Sequence, residues 1–69
     1  MKKIIKINGM SCNHCKMSIE QALKNIEGIE NVEVNLEDKQ AIIETSKEIK
    51  NETIIDVIDE IGFEVENIK

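Results

Sequence analysis

The sequence predicts an α+β fold in which two helices cover one face of a four-stranded antiparallel sheet. Its 69 residues are enough for one small domain, expected to span residues 1–69. The apolar residues are mostly Ile and Val, whose branched side chains suit pleated strands, and Phe63 is the only aromatic residue. The spacing of the apolar residues also switches repeatedly between strand-like and helical along the chain. These observations favour a mixed fold with an aliphatic core.

The beginning of the chain predicts a strand followed by a helix. Residues 3–7 read as a strand in which Ile5 and Ile7 share one face. From about residue 14 to residue 27 the apolar residues recur at helical spacing, and Gly28 is well placed to end this helix. The stripe expected to be buried consists of Cys15, Ile19, Ala22, Leu23 and Ile26.

The rest of the chain predicts a hairpin, a second helix and a last strand. Residues 32–36 alternate apolar and polar side chains, and residues 41–45 form a second run with strand chemistry. Asn51 is a suitable N-cap for a second helix, and Gly62 is a suitable stop. Residues 63–68 then form a short strand. The stripe of the second helix expected to be buried consists of Ile54, Ile55, Ile58 and Ile61.

This order of elements corresponds to two split βαβ units, the ferredoxin-like βαββαβ arrangement. The sheet face away from the helices is expected to be open to solvent, because its side chains are largely polar. They are Lys6, Glu33, Glu44 and Glu66, with Ile4 and Ile42 as a small apolar patch.

Composition excludes several function classes. The net charge of −5 repels phosphate backbones, so nucleic-acid binding is not expected. Lys6 and Asn8 interrupt the apolar start of the chain before it could form the core of a signal peptide. No segment approaches the roughly 20 apolar residues of a membrane span. We therefore expect a cytoplasmic protein that does not insert into a membrane.

The chemistry concentrates in the segment from Gly9 to Cys15, at the junction of the first strand and the first helix. Cys12 and Cys15 are three positions apart and can point at a common site. The positive end of the helix dipole favours thiolate, the form that binds metal. Soft sulfur donors select Cu(I) above all, with Zn(II) next. Structural zinc normally takes four ligands, so two thiolates suit low-coordinate Cu(I) better.

Two other interpretations of the cysteine pair are weaker. A dithiol oxidoreductase of thioredoxin type would also place CxxC at a helix start, but such folds share a cis-proline and this sequence has no proline. Two buried structural thiols would fit Cys15 on its apolar stripe. They would not fit Cys12, which lies in a polar loop beside Ser11 and Asn13.

The segment from Met10 to Cys15 matches the MxCxxC motif of heavy-metal-associated domains, and the whole chain resembles the small bacterial copper chaperones of that family. The resemblance implies a binding module without enzymatic turnover, in which Cys12 and Cys15 hold one Cu(I) per monomer. It implies transfer of the ion to the N-terminal domain of a copper-transporting P-type ATPase, or to a copper-responsive repressor. Alternatives within the family are a regulatory domain of a heavy-metal ATPase and a carrier of Zn, Cd or Hg.

Residues around the motif carry further expectations. The resemblance places Met10 under the loop as packing rather than as a ligand, and Phe63 beside the site. Phe63 also keeps the ATPase alternative open, since free bacterial chaperones often have Tyr near this position. His14 fits either a solvated residue or an accessory group that tunes the thiols and a metal-bridged homodimer. Loop-forming or solvated roles are expected for the remaining neighbours, Ser11, Asn13 and Lys16.

Overall fold

The structure is a computed structural model that describes residues 1–69. The chain forms β1 (Lys2–Asn8), α1 (Asn13–Lys24), β2 (Ile29–Asn35), β3 (Gln40–Thr45), α2 (Asn51–Glu60) and β4 (Glu64–Ile68). The strands make one antiparallel sheet in the order β2-β3-β1-β4. Both helices pack on one face of it. The predicted α+β, ferredoxin-like fold is therefore confirmed.

The core lies between the sheet and the two helices. Alternate residues of β1 and β3 point toward the helices, so that Ile5 and Ile7 of β1 are buried while Lys2 and Asn8 are exposed. Twelve apolar side chains make up the buried cluster, and none of them is aromatic. They are Ile5, Ile7, Met10, Ile19, Leu23, Val32, Val34, Ala41, Ile43, Ile49, Ile54 and Ile58.

The other face of the sheet carries the polar side chains, as expected. Ile4 of β1 lies directly opposite Ile42 of β3, and both side chains are half-buried. Lys2 lies opposite Glu44 at the end of the same ladder, which is a favourable cross-strand pair. The predicted apolar patch is thus a single cross-strand pair.

The end of α1 differs from the prediction. The helix ends at Lys24, and Gly28 does not terminate it. Asn25 keeps a right-handed helical conformation, and the amide of Ile26 bonds the carbonyl of Leu23 at 3.1 Å, which tightens the last turn. Gly28, with φ of +97°, instead turns the chain into β2.

Two of the four positions in the predicted stripe of α2 are wrong. Ile54 and Ile58 are fully buried, but Ile55 is 43% exposed and Ile61 is 38% exposed. Ile55 follows Ile54 by one residue, which rotates its side chain about 100° away from the core. Ile61 lies past the last helical residue, where the chain already turns away.

The start of α2 also differs from the prediction. Asn51 is the first helical residue, Lys50 occupies the cap position, and no side chain caps the helix. The Asn51 Oδ1 atom instead accepts a hydrogen bond from Lys3 Nζ at 2.6 Å, and the same ammonium group donates to the Ile49 carbonyl at 2.7 Å. Asn51 therefore connects the second helix to β1 rather than capping it.

The end of α2 is the one that the sequence predicted. Gly62 has φ of +93°, and its amide bonds the Asp59 carbonyl at 3.0 Å. The amide of Phe63 bonds the Ile58 carbonyl at 3.1 Å. Together these bonds form a Schellman motif, in which glycine supplies the left-handed residue. Neither helix of the structure is long and apolar enough to cross a membrane.

Both ends of the chain are attached to the sheet. Ile4 and Lys69 exchange both backbone hydrogen bonds, at 3.1 and 2.8 Å. The amino group of Met1 donates to the Thr45 carbonyl at 3.0 Å. β1 begins beside the two termini and runs toward Gly9. The termini therefore lie at the opposite end of the sheet from the loop that follows β1.

Candidate metal centre

The loop between β1 and α1 sets the positions of the two cysteines. Gly9 leaves the strand with φ of +91°, a conformation that glycine adopts without strain. Cys12 is the N-cap of α1, with extended backbone, and its carbonyl accepts the first helical bond from the Lys16 amide at 3.1 Å. Cys15 follows in the first turn of the helix. One thiol is therefore on the loop and the other is on a rigid element.

The two thiols converge. Cys12 Sγ lies 3.0 Å from Cys15 Sγ, and neither cysteine is in a disulfide. Cys12 is exposed, while Cys15 is half-buried and packs against the core. The pair presents two soft donors at the surface, one of them anchored by packing.

The environment of Cys15 lowers the pKa of its thiol below the ordinary value. The largest cause is the hydrogen bond from the Cys12 thiol, followed by a hydrogen bond from the backbone of Ser11. Partial desolvation opposes these effects without overcoming them. The part played by the Ser11 backbone could not be predicted from the sequence, since a backbone group of any residue would supply it. Cys15 is thus favoured as the thiolate.

Met10 and Phe63 lie where the resemblance placed them. The Met10 side chain has no exposed surface and belongs to the core cluster, so its expected packing role is confirmed. Phe63 packs against the same core, and its Cδ1 atom lies 3.8 Å from the point that a side chain on Gly9 would occupy. The phenyl ring therefore lies between the core and Gly9, the first residue of the loop.

The other residues around the motif are exposed or half-buried. Ser11, Asn13 and His14 are exposed, and Lys16 is half-buried. No group of three or more His, Cys, Asp or Glu side chains in the structure is arranged to hold a metal ion. The structure therefore brings together Cys12 and Cys15 and does not bring His14 to them.

Comparisons with known proteins identify the family of the chain. The profile of the heavy-metal-associated domain matches residues 4–64. The chain is 37% identical over 65 residues to a copper chaperone, CopZ, of Staphylococcus aureus, covering 93% of this chain and 96% of the relative.

Solved structures extend the likeness to three dimensions. A CopZ metallochaperone superposes with a TM-score of 0.87 at 35% identity, over 94% of this chain and 98% of the other. A copper binding domain from HMA7, a P-type ATPase, superposes with a TM-score of 0.85 at 34% identity, over 96% and 92% of the two chains. The motif, the fold and these matches agree, and the chain belongs to the heavy-metal-associated domain family.

Proposed function

We propose that this protein is a copper chaperone that holds one Cu(I) ion between Cys12 and Cys15 and delivers it to a partner protein. The observation that carries the proposal is the pair of convergent thiols, 3.0 Å apart at the start of α1. The copper chaperone named among the relatives, which matches nearly the whole chain, supports the same function.

The donor set favours Cu(I) over harder ions. Two thiolates satisfy a low-coordinate soft cation, whereas zinc in proteins normally takes four ligands. The lowered pKa of Cys15 makes one thiolate available, and cation binding would displace the proton of the second thiol. Because Cys12 is exposed, a third thiolate from another protein can approach the ion.

The recipient proposed is the N-terminal domain of a copper-transporting P-type ATPase, and the likeness of this chain to a copper binding domain from a P-type ATPase supports this choice. A thiolate of the recipient forms a third sulfur–copper bond, after which the bond to the exposed Cys12 breaks and its thiolate takes up a proton. The bond to Cys15 breaks last as the recipient's second thiolate binds. Copper stays Cu(I) throughout, so no oxidant or reductant is needed. Delivery to a copper-responsive repressor and a metal-bridged homodimer stay predictions.

The test is an anaerobic titration of the reduced protein with Cu(I) against a competing chelator, repeated with Zn(II). We expect a tight 1:1 Cu(I) complex and much weaker Zn(II) binding. Cys12→Ser and Cys15→Ser should each abolish competitive Cu(I) binding, whereas Ser18→Ala on the exposed part of α1 should leave it unchanged. Copper binding no tighter than that of a small-molecule dithiol would overturn the proposal.

The likeness to the ATPase domain supports a second candidate, a metal-binding domain that receives the ion instead of delivering it. The two candidates differ in direction and speed of exchange. Copper-loaded protein is mixed with the metal-free ATPase domain, the two are separated by ion exchange, and copper in each is measured. Rapid movement of copper onto the ATPase domain supports the chaperone, and retention on this chain supports the second candidate. Reduction of insulin by the dithiol protein would instead indicate an oxidoreductase.

A further inference from the structure

A groove of about 550 Å³ lies between the two helices. Its apolar lining comes from Ala22 and Ile26 on the side of α1 and from Val57 and Ile61 on the side of α2. None of the residues from Met10 to Cys15 lines it. The groove is therefore a surface separate from the pair of thiols.

Ile61 belongs to this apolar lining, which accounts for its partial exposure. This side chain was expected in the core but is 38% exposed, and it forms part of the groove wall. Ala22, Ile26 and Val57 are only half-buried. The helical layer thus leaves apolar surface in a concave site, which is the shape that favours binding of an apolar side chain.

The charges at the two rims of the groove differ. On one side, Glu27 forms an ion pair with Lys47 at 3.7 Å. On the other side, Glu60 has no ion-pair partner, and α2 contains no basic residue. Asp59 and Glu60 also lie at the negative end of the α2 dipole, where carboxylates are unfavourable. A cation placed at Glu60 would relieve this repulsion.

We propose that the groove docks an amphipathic segment of a partner protein, with an apolar side chain between Ile26 and Ile61 and a Lys or Arg at Glu60. A second copy of this chain is a poor occupant, because both copies carry a net charge of −5 and the same carboxylates. The proposal goes beyond copper transfer, and docking should proceed whether or not the thiols are present.

The probe is a peptide of roughly 15 residues that repeats Leu and Lys at helical spacing. The control is the same peptide with every Lys replaced by Glu. Binding to the 69-residue, metal-free, ¹⁵N-labelled protein is followed by amide chemical shifts. We expect saturable shifts at Ala22, Ile26, Val57 and Ile61 with the Lys peptide only. The Cys12→Ser, Cys15→Ser double variant should bind equally well, so failure of copper binding would not affect this result.

Two matched pairs of variants test the site. Glu60→Lys should weaken binding by about fivefold, whereas Glu33→Lys, an equal charge change on the open sheet face, should have a smaller effect. Ile61→Ser should weaken binding by about tenfold, whereas Ile55→Ser, at an Ile of similar exposure that lies on α2 outside the groove, should not.

Three results obtained with the peptide would overturn the proposal. They are absence of saturable shifts at the groove, equal losses from Glu60→Lys and Glu33→Lys, and shifts centred on the open sheet face. Concentration-dependent shifts of the groove residues without peptide would also overturn it, since they would assign the groove to a second copy. Circular dichroism of each variant checks that its fold is kept.

Discussion

Residues that are close together in the motif have opposite environments. Met10 is fully buried, whereas Cys12, two residues later, is exposed. Composition alone does not separate them, because both side chains carry sulfur and both can bind Cu(I). The resemblance to a known family assigned Met10 to packing, and its burial confirms that assignment. The assignment of Cys12 and Cys15 as ligands stays a prediction, to which the 3.0 Å separation adds a geometric basis.

Replacing Met10 should affect stability and not copper binding. Met10→Ala should lower the free energy of unfolding by about 2–5 kcal/mol, because it leaves a cavity in the core. Met10→Leu keeps most of the volume and should cost less than about 1.5 kcal/mol. Urea unfolding measures both losses. If folded Met10→Leu lost Cu(I) affinity as severely as Cys12→Ser, Met10 would be a ligand and its packing role secondary.

The pKa of Cys15 should depend on the side chain at position 12. The Cys12 thiol is the largest cause of the lowered pKa, so Cys12→Ala should raise it toward the ordinary thiol value. Cys12→Ser keeps a hydroxyl donor and should raise it less. The contribution of ionised Cys15 to stability is fully present above the ordinary pKa and is lost as pH falls through the lowered one.

The measurement for Cys15 is a pH titration of its ¹³Cβ chemical shift under reducing conditions. The metal-free wild type should titrate below Cys12→Ser, and Cys12→Ser below Cys12→Ala. Identical midpoints in the three proteins would show that the Cys12 side chain has no influence on ionisation of Cys15.

At the scale of helices and strands, the sequence identified every element but not every boundary. The apolar periodicity of an element reflects which of its faces packs against the core, and it extends over many residues. The order of elements was therefore predictable. Helix ends depend on individual hydrogen bonds. Gly62 was recognisable because a left-handed residue is required there, whereas Asn51 was misassigned because its partner, Lys3, is distant in sequence. Nothing local distinguishes an Asn that caps from one that binds a distant lysine.

Substitution of Gly62 should destabilise the end of α2. Gly62→Ala should lower the free energy of unfolding by about 1 kcal/mol, because φ is +93° and a methyl group there is strained even without a clash. Gly62→Asn should cost less, since Asn tolerates the left-handed region better. Thermal unfolding of the three proteins gives the comparison. Equal midpoints for Gly, Ala and Asn would show that this end of the helix is frayed in solution.

At the scale of the whole molecule, the aliphatic composition predicted the layered fold, but it did not predict the groove between the helices. Strand and helix stripes specify which sides meet. They do not specify how closely the two helices pack against each other, which depends on the orientation of side chains such as Ile61. The expectation of a single domain over residues 1–69 stays a prediction.

The surface charge of the molecule is poorly compensated, which predicts a dependence of stability on salt. The net charge is −5, and the structure has only two ion pairs, both at the solvent-accessible surface. Screening should reduce carboxylate repulsion more than it weakens such pairs. The melting temperature should rise by roughly 4 °C between low salt and NaCl of about 0.15 M, corresponding to about 1 kcal/mol.

The control for the salt dependence is the double variant Glu33→Lys, Glu66→Lys, in which the net negative charge is smaller. Its melting temperature should rise less with salt than that of the wild type. A wild-type melting temperature that fell on addition of salt would show that the Glu20–Lys24 and Glu27–Lys47 pairs outweigh the repulsion.

The placement of both termini opposite the thiol-bearing loop has a practical consequence for surface chemistry. A biotin tag attached through a flexible spacer at Lys69 would orient an immobilised layer with Cys12 and Cys15 facing the bulk solution. Such a layer could serve as an electrode coating or capture resin for thiophilic ions. An anchor introduced near Gly9 would bring the thiols toward the support and obstruct them.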